Sequence, residues 1–216
     1  VESWERLTRV LTHEMMNATA PITSISQSLL GRADVKDTPL ENGIQAIYDT
    51  SRHLSDFVTS YRKMSELEKP VLRPVDLRSV IDDVSRTYPQ LSWEIHVLAG
   101  LNVSADVGML RQVLMNLAKN ALEADAKKMV VNVMDHDRED LSHSQVVLYI
   151  GNDGQPIPAE NRQSLFVPFF TTKRTGSGIG LSLSRRMMIQ QGGMLDLADS
   201  PYSGCHTAFL LSLASL

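Results

Sequence analysis

Two long amphipathic stripes, followed at once by a pair of prolines, limit what this chain of 216 residues can become. Between Trp4 and Leu29 apolar residues fall at Trp4, Leu7, Leu11, Met15, Ala18, Ile22, Ile25 and Leu29, a mean step of about 3.6 that marks one face of a helix. Gly31 to Pro39 interrupts the pattern. A second stripe then runs Ile44, Ile47, Ser51, Leu54, Val58 and Tyr61. Helices of about 30 residues are roughly 45 Å long, and a lone antiparallel pair leaves much of each stripe in water. The sequence therefore predicts a long helical hairpin that forms a homodimeric four-helix bundle.

Lys69-Pro70 and Arg73-Pro74 close the helical region, because a residue before proline is pushed out of helical geometry and proline donates no backbone hydrogen bond. This places a hairpin domain at 1–69, a linker at 70–74 and a second domain at 75–216. In that second domain a helix capped by Asp76 carries Leu77, Ile81, Val84 and Tyr88, and Ser92 to Leu98 alternates as a strand. A helix from Asp106 buries Leu110, Val113, Leu114, Leu117 and Ala121. Met129 to Met134 and Gln145 to Ile150 read as paired strands joined by the polar segment Asp135 to Ser144. A Gly-rich turn at Gly176 to Gly180 opens a helix ending at Gly192-Gly193, and His206 to Leu213 supplies a last strand. Helices interleaved with strands in this way predict an α+β class, a two-layer sandwich after the hairpin.

Composition narrows the function. With 21 Lys and Arg against 25 Asp and Glu, and no local basic patch, nucleic acid is not the expected partner. The lone Cys205 rules out an internal disulfide and fits a reducing compartment. No apolar run approaches the ~20 residues of a membrane helix, so no membrane contact is expected from this stretch.

Three features of the second domain suit a nucleotide. Asn116 and Asn120, four residues apart, share a helix face although Asn is a poor helix former; amide oxygens there suit Mg²⁺, and Lys119 beside them suits phosphate. As solvated surface amides they would need no such role. Gly151 to Pro158 directly follows an apolar strand, where a side-chain oxygen can accept from a purine amino group and Gly154 lets the ring approach the backbone; a plain turn explains these residues equally well. Gly176 to Leu181 is a Gly-rich turn entering a helix, a geometry that presents amides to phosphate, yet it is neither a dinucleotide fingerprint nor a Walker loop. In the hairpin, His13 is followed by Glu14 and, one turn on, by Asn17 on the same face. A neutral imidazole is a competent nucleophile and an adjacent carboxylate can take or orient its proton.

In this order the pieces resemble the catalytic core of a two-component sensor histidine kinase. His13-Glu14 with Asn17 resembles the H box, Asn116 to Ala124 the N box, and Asn152 to Ile157 the first glycine box. Leu165 to Lys173 resembles the F box and Gly176 to Leu181 the second glycine box. The resemblance spans nearly the whole chain. It implies a sandwich of the gyrase, chaperone and histidine-kinase ATPase type, binding ATP and Mg²⁺. Asn120 would be the Mg²⁺ ligand, with Asn116 and Lys119 on its phosphate side. Gly176, Gly178, Gly180 and Leu181 would border a short lid from which Lys173 or Arg174 reaches phosphate. The chain departs from the family pattern twice. Asn152 stands where the adenine-reading Asp is usual, with Asp153 next to it and Pro156 at the second glycine, which leaves open whether Asn152 or Asp153 accepts from adenine. Ala18 stands where Pro is common in the H box, leaving Pro21 to bend the helix.

The implied activity is autophosphorylation of His13 from ATP and transfer to an Asp of a response-regulator receiver domain. Asn17 suggests phosphatase activity toward that regulator. The implied location is cytoplasmic, free or as the cytoplasmic part of a membrane-anchored sensor. Two rivals are a degenerate kinase acting as scaffold or phosphatase only, and an ATPase clamp. In the clamp enzymes a Glu stands four residues before the metal-binding Asn, the position Asn116 holds here.

Overall fold

The computed structural model describes residues 2–65, 67–134, 145–173 and 178–216. Side chains at 2–11, 13, 60 and 63–65 lie outside that description, as does the whole of the predicted connector Asp135 to Ser144. The chain divides into two compact units, the first running to Glu68 and also taking in Lys173, the second comprising Lys69–Thr172 and Gly178–Leu216.

The first unit is the hairpin of α1 (Glu2–Leu30) and α2 (Pro39–Ser65). The helices run antiparallel, since Thr23 meets Ser51 while Thr19 meets Ser55. Their seam is largely polar. Thr12, Thr19, Ser26 and Ser51 are buried alongside Val58. Ser51 Oγ donates to the Thr19 carbonyl at 3.0 Å, and the Thr23 and Ser51 hydroxyls lie 2.7 Å apart. Thr19, Thr23 and Ser26 also bond back to carbonyls one turn earlier in α1, which satisfies them without a partner helix. Much of the apolar stripes lies outside the seam: Met15, Ile22 and Ile25 of α1 and Ile47 and Leu54 of α2 are exposed on the single chain, as is the neighbouring Phe57, whereas Ser51 and Val58 turn into it.

The second unit has a mixed seven-stranded sheet. Its strands are β1 (Arg73–Asp76), β2 (Ser92–His96), β3 (Asn102–Ala105), β4 (Lys128–Met134), β5 (Gln145–Asn152), β6 (Met194–Leu197) and β7 (Thr207–Ser215). The order is β1-β3-β7-β5-β4-β2, with β6 also on β7; only β2 and β4 pair in parallel. Helices α3 (Leu77–Thr87), α4 (Val107–Glu123) and α6 (Gly180–Gln190) form the second layer, and α5 (Ala159–Arg162) is a single turn. The sheet face carrying Leu148, Ile150, Leu211 and Leu213 shares the core with Leu77, Ile81, Leu110, Leu117 and Met188, all nearly inaccessible. Burying each such side chain contributes about 1.5–3 kcal/mol.

The opposite face is covered by chain rather than helix. Val130, Tyr149, Ala198, Cys205 and Ala208 form a small cluster there. The Tyr149 ring stacks on Tyr202 with centroids 3.9 Å apart, while its hydroxyl donates to the Tyr202 carbonyl at 3.0 Å and accepts from the Tyr202 amide at 2.9 Å.

Two carboxylates set the helix starts. Asp76 accepts from Arg78 N and Ser79 N; Asp106 accepts from Gly108 N and Met109 N and, through its other oxygen, from Val71 N at 2.9 Å. The amides of Val71 and Met109 hold the Asp106 carboxyl below the usual carboxylate range against the opposing effect of burial.

The linker expected at 70–74 is shorter than the prolines imply. Arg73 and Pro74 already belong to β1, paired with Ala105 and Ser104. Proline is tolerated because β1 is an edge strand that needs no donor on its open side. The four-residue strands β1, β3 and β6 were not foreseen, because each is too short to show a full alternation.

Candidate functional site

The site is organised around α4. Apolar residues Leu110, Val113, Leu114, Leu117 and Ala121 fix one face of this helix in the core, which leaves Asn116, Lys119 and Asn120 on the other side. Each end of that polar side meets a glycine segment. Asn116 Nδ2 donates to Ser184 Oγ of α6 at 3.1 Å, and Asn116 lies so close to Gly180 that a Cβ there would overlap its amide. At the other end the Ala124 carbonyl, just past α4, accepts from Gln155 N at 2.7 Å, and a Cβ on Gly154 would lie 2.7 Å from the same oxygen. One helix thus holds both glycine boxes at contact distance. Lys119 is exposed and forms an i,i+4 ion pair with Glu123 at 3.6 Å.

The first glycine box follows from the register of β5. Asn152 closes that strand, is 5% exposed, and accepts from Gly154 N through Oδ1 at 3.1 Å. Asp153 points the other way. Its Oδ1 accepts from the amides of Lys127 and Lys128, both at 2.8 Å, pinning the turn to the start of β4. Burial alone would raise the Asp153 carboxyl, but these amides outweigh it and hold the group below the ordinary carboxylate range. The His206 amide donates to the Asn152 carbonyl at 2.8 Å, and His206 Nδ1 lies 3.0 Å from the Gly154 carbonyl.

Thr207 was missed in the sequence. It is paired directly with Asn152, so both side chains leave the same sheet face. Its hydroxyl is buried and has no hydrogen-bond partner among the described residues. A buried unpartnered hydroxyl beside a buried amide fits a polar ring as ligand. Only the β5–β7 register, which the sequence does not display, joins the two positions.

The described residues on either side of the expected lid meet each other. Phe169 N donates to the Gly178 carbonyl at 2.9 Å, and both residues adopt left-handed φ, +68° and +67°. Gly178 cannot be replaced there, since a Cβ would overlap the Phe169 backbone. Phe166, in the same F box, is covered by the Arg185 guanidinium 4.5 Å from its ring centroid, and Arg185 bonds Asp196 at 2.6 Å. Lys173 is exposed and Leu181 half-buried, while Arg174 and Gly176 lie outside the described residues. In the hairpin, His13, Glu14 and Asn17 fall within α1. Glu14 and Asn17 are exposed, and the His13 side chain is outside the description.

Mg²⁺ takes oxygen donors and commonly keeps phosphate oxygens in its shell. No group of three His, Cys, Asp or Glu residues among the described ones could hold a metal. A cation beside α4 would therefore rely on the Asn120 amide oxygen and on oxygens of the nucleotide, a donor set that fits Mg²⁺. A separate groove of about 430 Å³ at the β1 edge, bordered by Val71, Arg73, Val75, Asp76, Val107 and Arg111, includes none of these residues.

A helix bearing paired asparagines between two glycine turns, over a sheet with a buried polar end, defines a nucleotide-binding sandwich. The chain belongs to the histidine kinase-, DNA gyrase B- and HSP90-like ATPase family, whose model matches residues 105–215. Within that family it sides with the two-component sensor kinases. It is 27% identical over 210 residues to the sensor protein kinase PilS of Pseudomonas aeruginosa, covering 92% of this chain and 39% of PilS. The catalytic domain of the histidine kinase ThkA, in a nucleotide-free form, matches with 26% identity and a TM-score of 0.57 over 67% of this chain and 96% of that domain. ThkA in complex with the response regulator protein TrrA matches 98% of this chain and 61% of that one at a TM-score of 0.62 and 23% identity, a likeness of fold. The chain spans well under half the length of PilS. No helix among the described residues is long and apolar enough to cross a membrane.

Proposed function

We propose that this chain is the working core of a sensor histidine kinase: the sandwich binds ATP, and the hairpin receives its γ-phosphoryl group on His13. The observation that carries the reading is the convergence on α4, where Asn116 meets Gly180, Ala124 meets Gly154, and Asn152 with Thr207 supplies a buried polar floor. A ring nitrogen of His13 attacks the γ-phosphorus in line as the bond to the ADP oxygen breaks, and Glu14 takes or orients the proton on the other nitrogen. Mg²⁺, held by Asn120, would supply charge neutralisation for the phosphates. The chain's own share is position: α4 and the amides near Gly178 fix the phosphates, and Lys173 adds positive charge from the lid.

The phosphoryl group then passes to an Asp of a response-regulator receiver domain, and Asn17, one turn from His13, orients water when that regulator is dephosphorylated. The ThkA complex with a response regulator supports such a partner. The exposed apolar residues Met15, Ile22, Ile25, Ile47 and Leu54, with Phe57 beside them, support a homodimer, because a second hairpin would cover them and close a four-helix bundle.

Labelled ATP tests the reading. Acid-labile, base-stable label should appear on the protein and vanish in His13→Ala and Asn120→Ala while both variants stay folded. Release of phosphate without phosphoprotein would overturn it in favour of a clamp-type ATPase. Charging the stripe with Ile25→Glu and Ile47→Glu should leave a monomer by sedimentation; a persisting dimer would show that the interface lies elsewhere.

A further inference from the structure

The first glycine box has a consequence for which purine this site takes, and it rests on the reading above that the sandwich binds a nucleoside triphosphate. The Asn152 amide has two unlike arms, and the fold decides which arm faces where. Gly154 N lies 3.1 Å from Oδ1, and a backbone amide can only donate. Turning the side chain over would set its NH₂ against that N–H. The oxygen therefore faces the turn, and the NH₂ is the arm turned away from it, with no hydrogen-bond partner among the described residues. The turn itself is fixed by His206, whose amide bonds the Asn152 carbonyl and whose ring nitrogen lies against the Gly154 carbonyl.

A carboxylate at this position would still offer its second oxygen, an acceptor for the 6-amino group of adenine. The amide offers a donor instead. Asp153, the adjacent carboxylate, is instead held at the start of β4, where its Oδ1 takes the amides of Lys127 and Lys128. The remaining group is the Thr207 hydroxyl, buried, unpartnered and paired in register with Asn152. A hydroxyl donates to a bare ring nitrogen or accepts from a ring N–H with equal ease. Thr207 therefore tolerates either purine, and Asn152 discriminates. Facing adenine, its NH₂ meets another donor; facing a 6-oxopurine, it meets a carbonyl oxygen while the ring N1–H finds Thr207.

We propose that Asn152 reads position 6 of the base as a hydrogen-bond donor, so that this site binds 6-oxopurine nucleoside triphosphates, of the inosine and guanosine kind, at least as tightly as ATP. ITP is the discriminating probe, since it differs from ATP only at positions 1 and 6. Calorimetric titration of the chain with Mg²⁺ and either nucleotide should give an ITP affinity equal to or above that for ATP. Asn152→Asp restores an acceptor and should shift the ratio toward ATP roughly tenfold or more, the usual effect of pairing rather than opposing a buried polar group. Wild-type chain that binds ATP ten times more tightly than ITP would overturn the inference while leaving the nucleotide site intact. Chain that binds neither nucleotide, with Asn152→Asp equally silent, would instead overturn the site, and this inference with it.

Discussion

The contact between Gly154 and the end of α4 yields the sharpest mechanical prediction. A Cβ at position 154 would lie 2.7 Å from the Ala124 carbonyl oxygen, 3.0 Å from the Ala124 Cβ and 3.0 Å from Asn152 Oδ1. The first of these is backbone and cannot rotate away, so the turn or the helix end must retreat by about half an ångström or more to reach ordinary contact. That retreat stretches the 2.7 Å bond from Gln155 N to the same oxygen and the 3.1 Å bond from Gly154 N to Asn152. Overpacking of this kind costs about 1–3 kcal/mol. For a unit of this size that is a fall of roughly 3–12 °C in Tm. The control is Gly43→Ala in α2, where a Cβ meets nothing within 4 Å and the helix gains about 0.5–1 kcal/mol. Calorimetric melting of wild type and both variants, with nucleotide titration alongside, separates the outcomes. Gly154→Ala should lower the melting of the sandwich and weaken nucleotide binding together, while Gly43→Ala does neither. A Gly154→Ala protein that melts like wild type and binds nucleotide normally would refute the idea that α4 and the first glycine box meet as one unit.

Asp153 should behave as a staple rather than a base reader: Asp153→Ala frees two backbone amides and should cost about 1–3 kcal/mol by denaturant titration, whereas Asp153→Asn keeps an acceptor and should cost less. Because the folded Asp153 and Asp106 carboxyls titrate below their unfolded value near 3.9, the stability they supply is complete above about pH 4 and disappears as pH falls through the lower folded values; acid unfolding should shift toward neutral pH in Asp106→Ala, seen by circular dichroism. Tyr149 has the opposite sign. Burial pushes its hydroxyl up to about 12, so its stabilisation is whole below about pH 10 and is lost as pH rises toward 12, and phenolate absorbance should show one tyrosine titrating last, absent in Tyr149→Phe. Asn116→Ala should loosen α6 through loss of Ser184, detected as faster amide exchange at 180–184 with the hairpin unchanged.

The sequence carried much of the α/β unit because its main elements advertise themselves. The apolar face of α4 and the caps Asp76 and Asp106 are local signals, and the helices begin where those carboxylates stand. The residues of the proposed nucleotide cleft were legible in kind but not in placement. Asn152 and Asp153 are adjacent, and no local rule says which one turns into the core; the alternation of β5, set by its pairing with β4 and β7, sends Asn152 inward and leaves Asp153 to bind the turn. Thr207 was invisible for the same reason, since its meaning depends on a neighbour 55 positions away in the chain, across a pairing between β5 and β7. What a strand residue does depends on register, and register is a property of the sheet.

The hairpin makes the complementary point about apolar pattern. A regular stripe states which residues must leave water, at about 25 cal/mol per Å² of apolar surface, but not what will cover them. Here the two helices of one chain cover only part of each other's stripes, Ser51 and Val58 among them. They meet through Thr19, Thr23, Ser26 and Ser51, whose hydroxyls are satisfied within the seam or by carbonyls of their own helix, while Ile25 and Ile47 remain 61% and 52% exposed. A seam of small hydroxyl side chains buries less apolar surface than a leucine-rich one, and three interhelical hydrogen bonds fix the register instead. In the proposed homodimer, the exposed apolar residues would supply more of the burial than this seam does. Pro21, inside α1, cannot donate to the Asn17 carbonyl and so removes one helical bond a turn past His13.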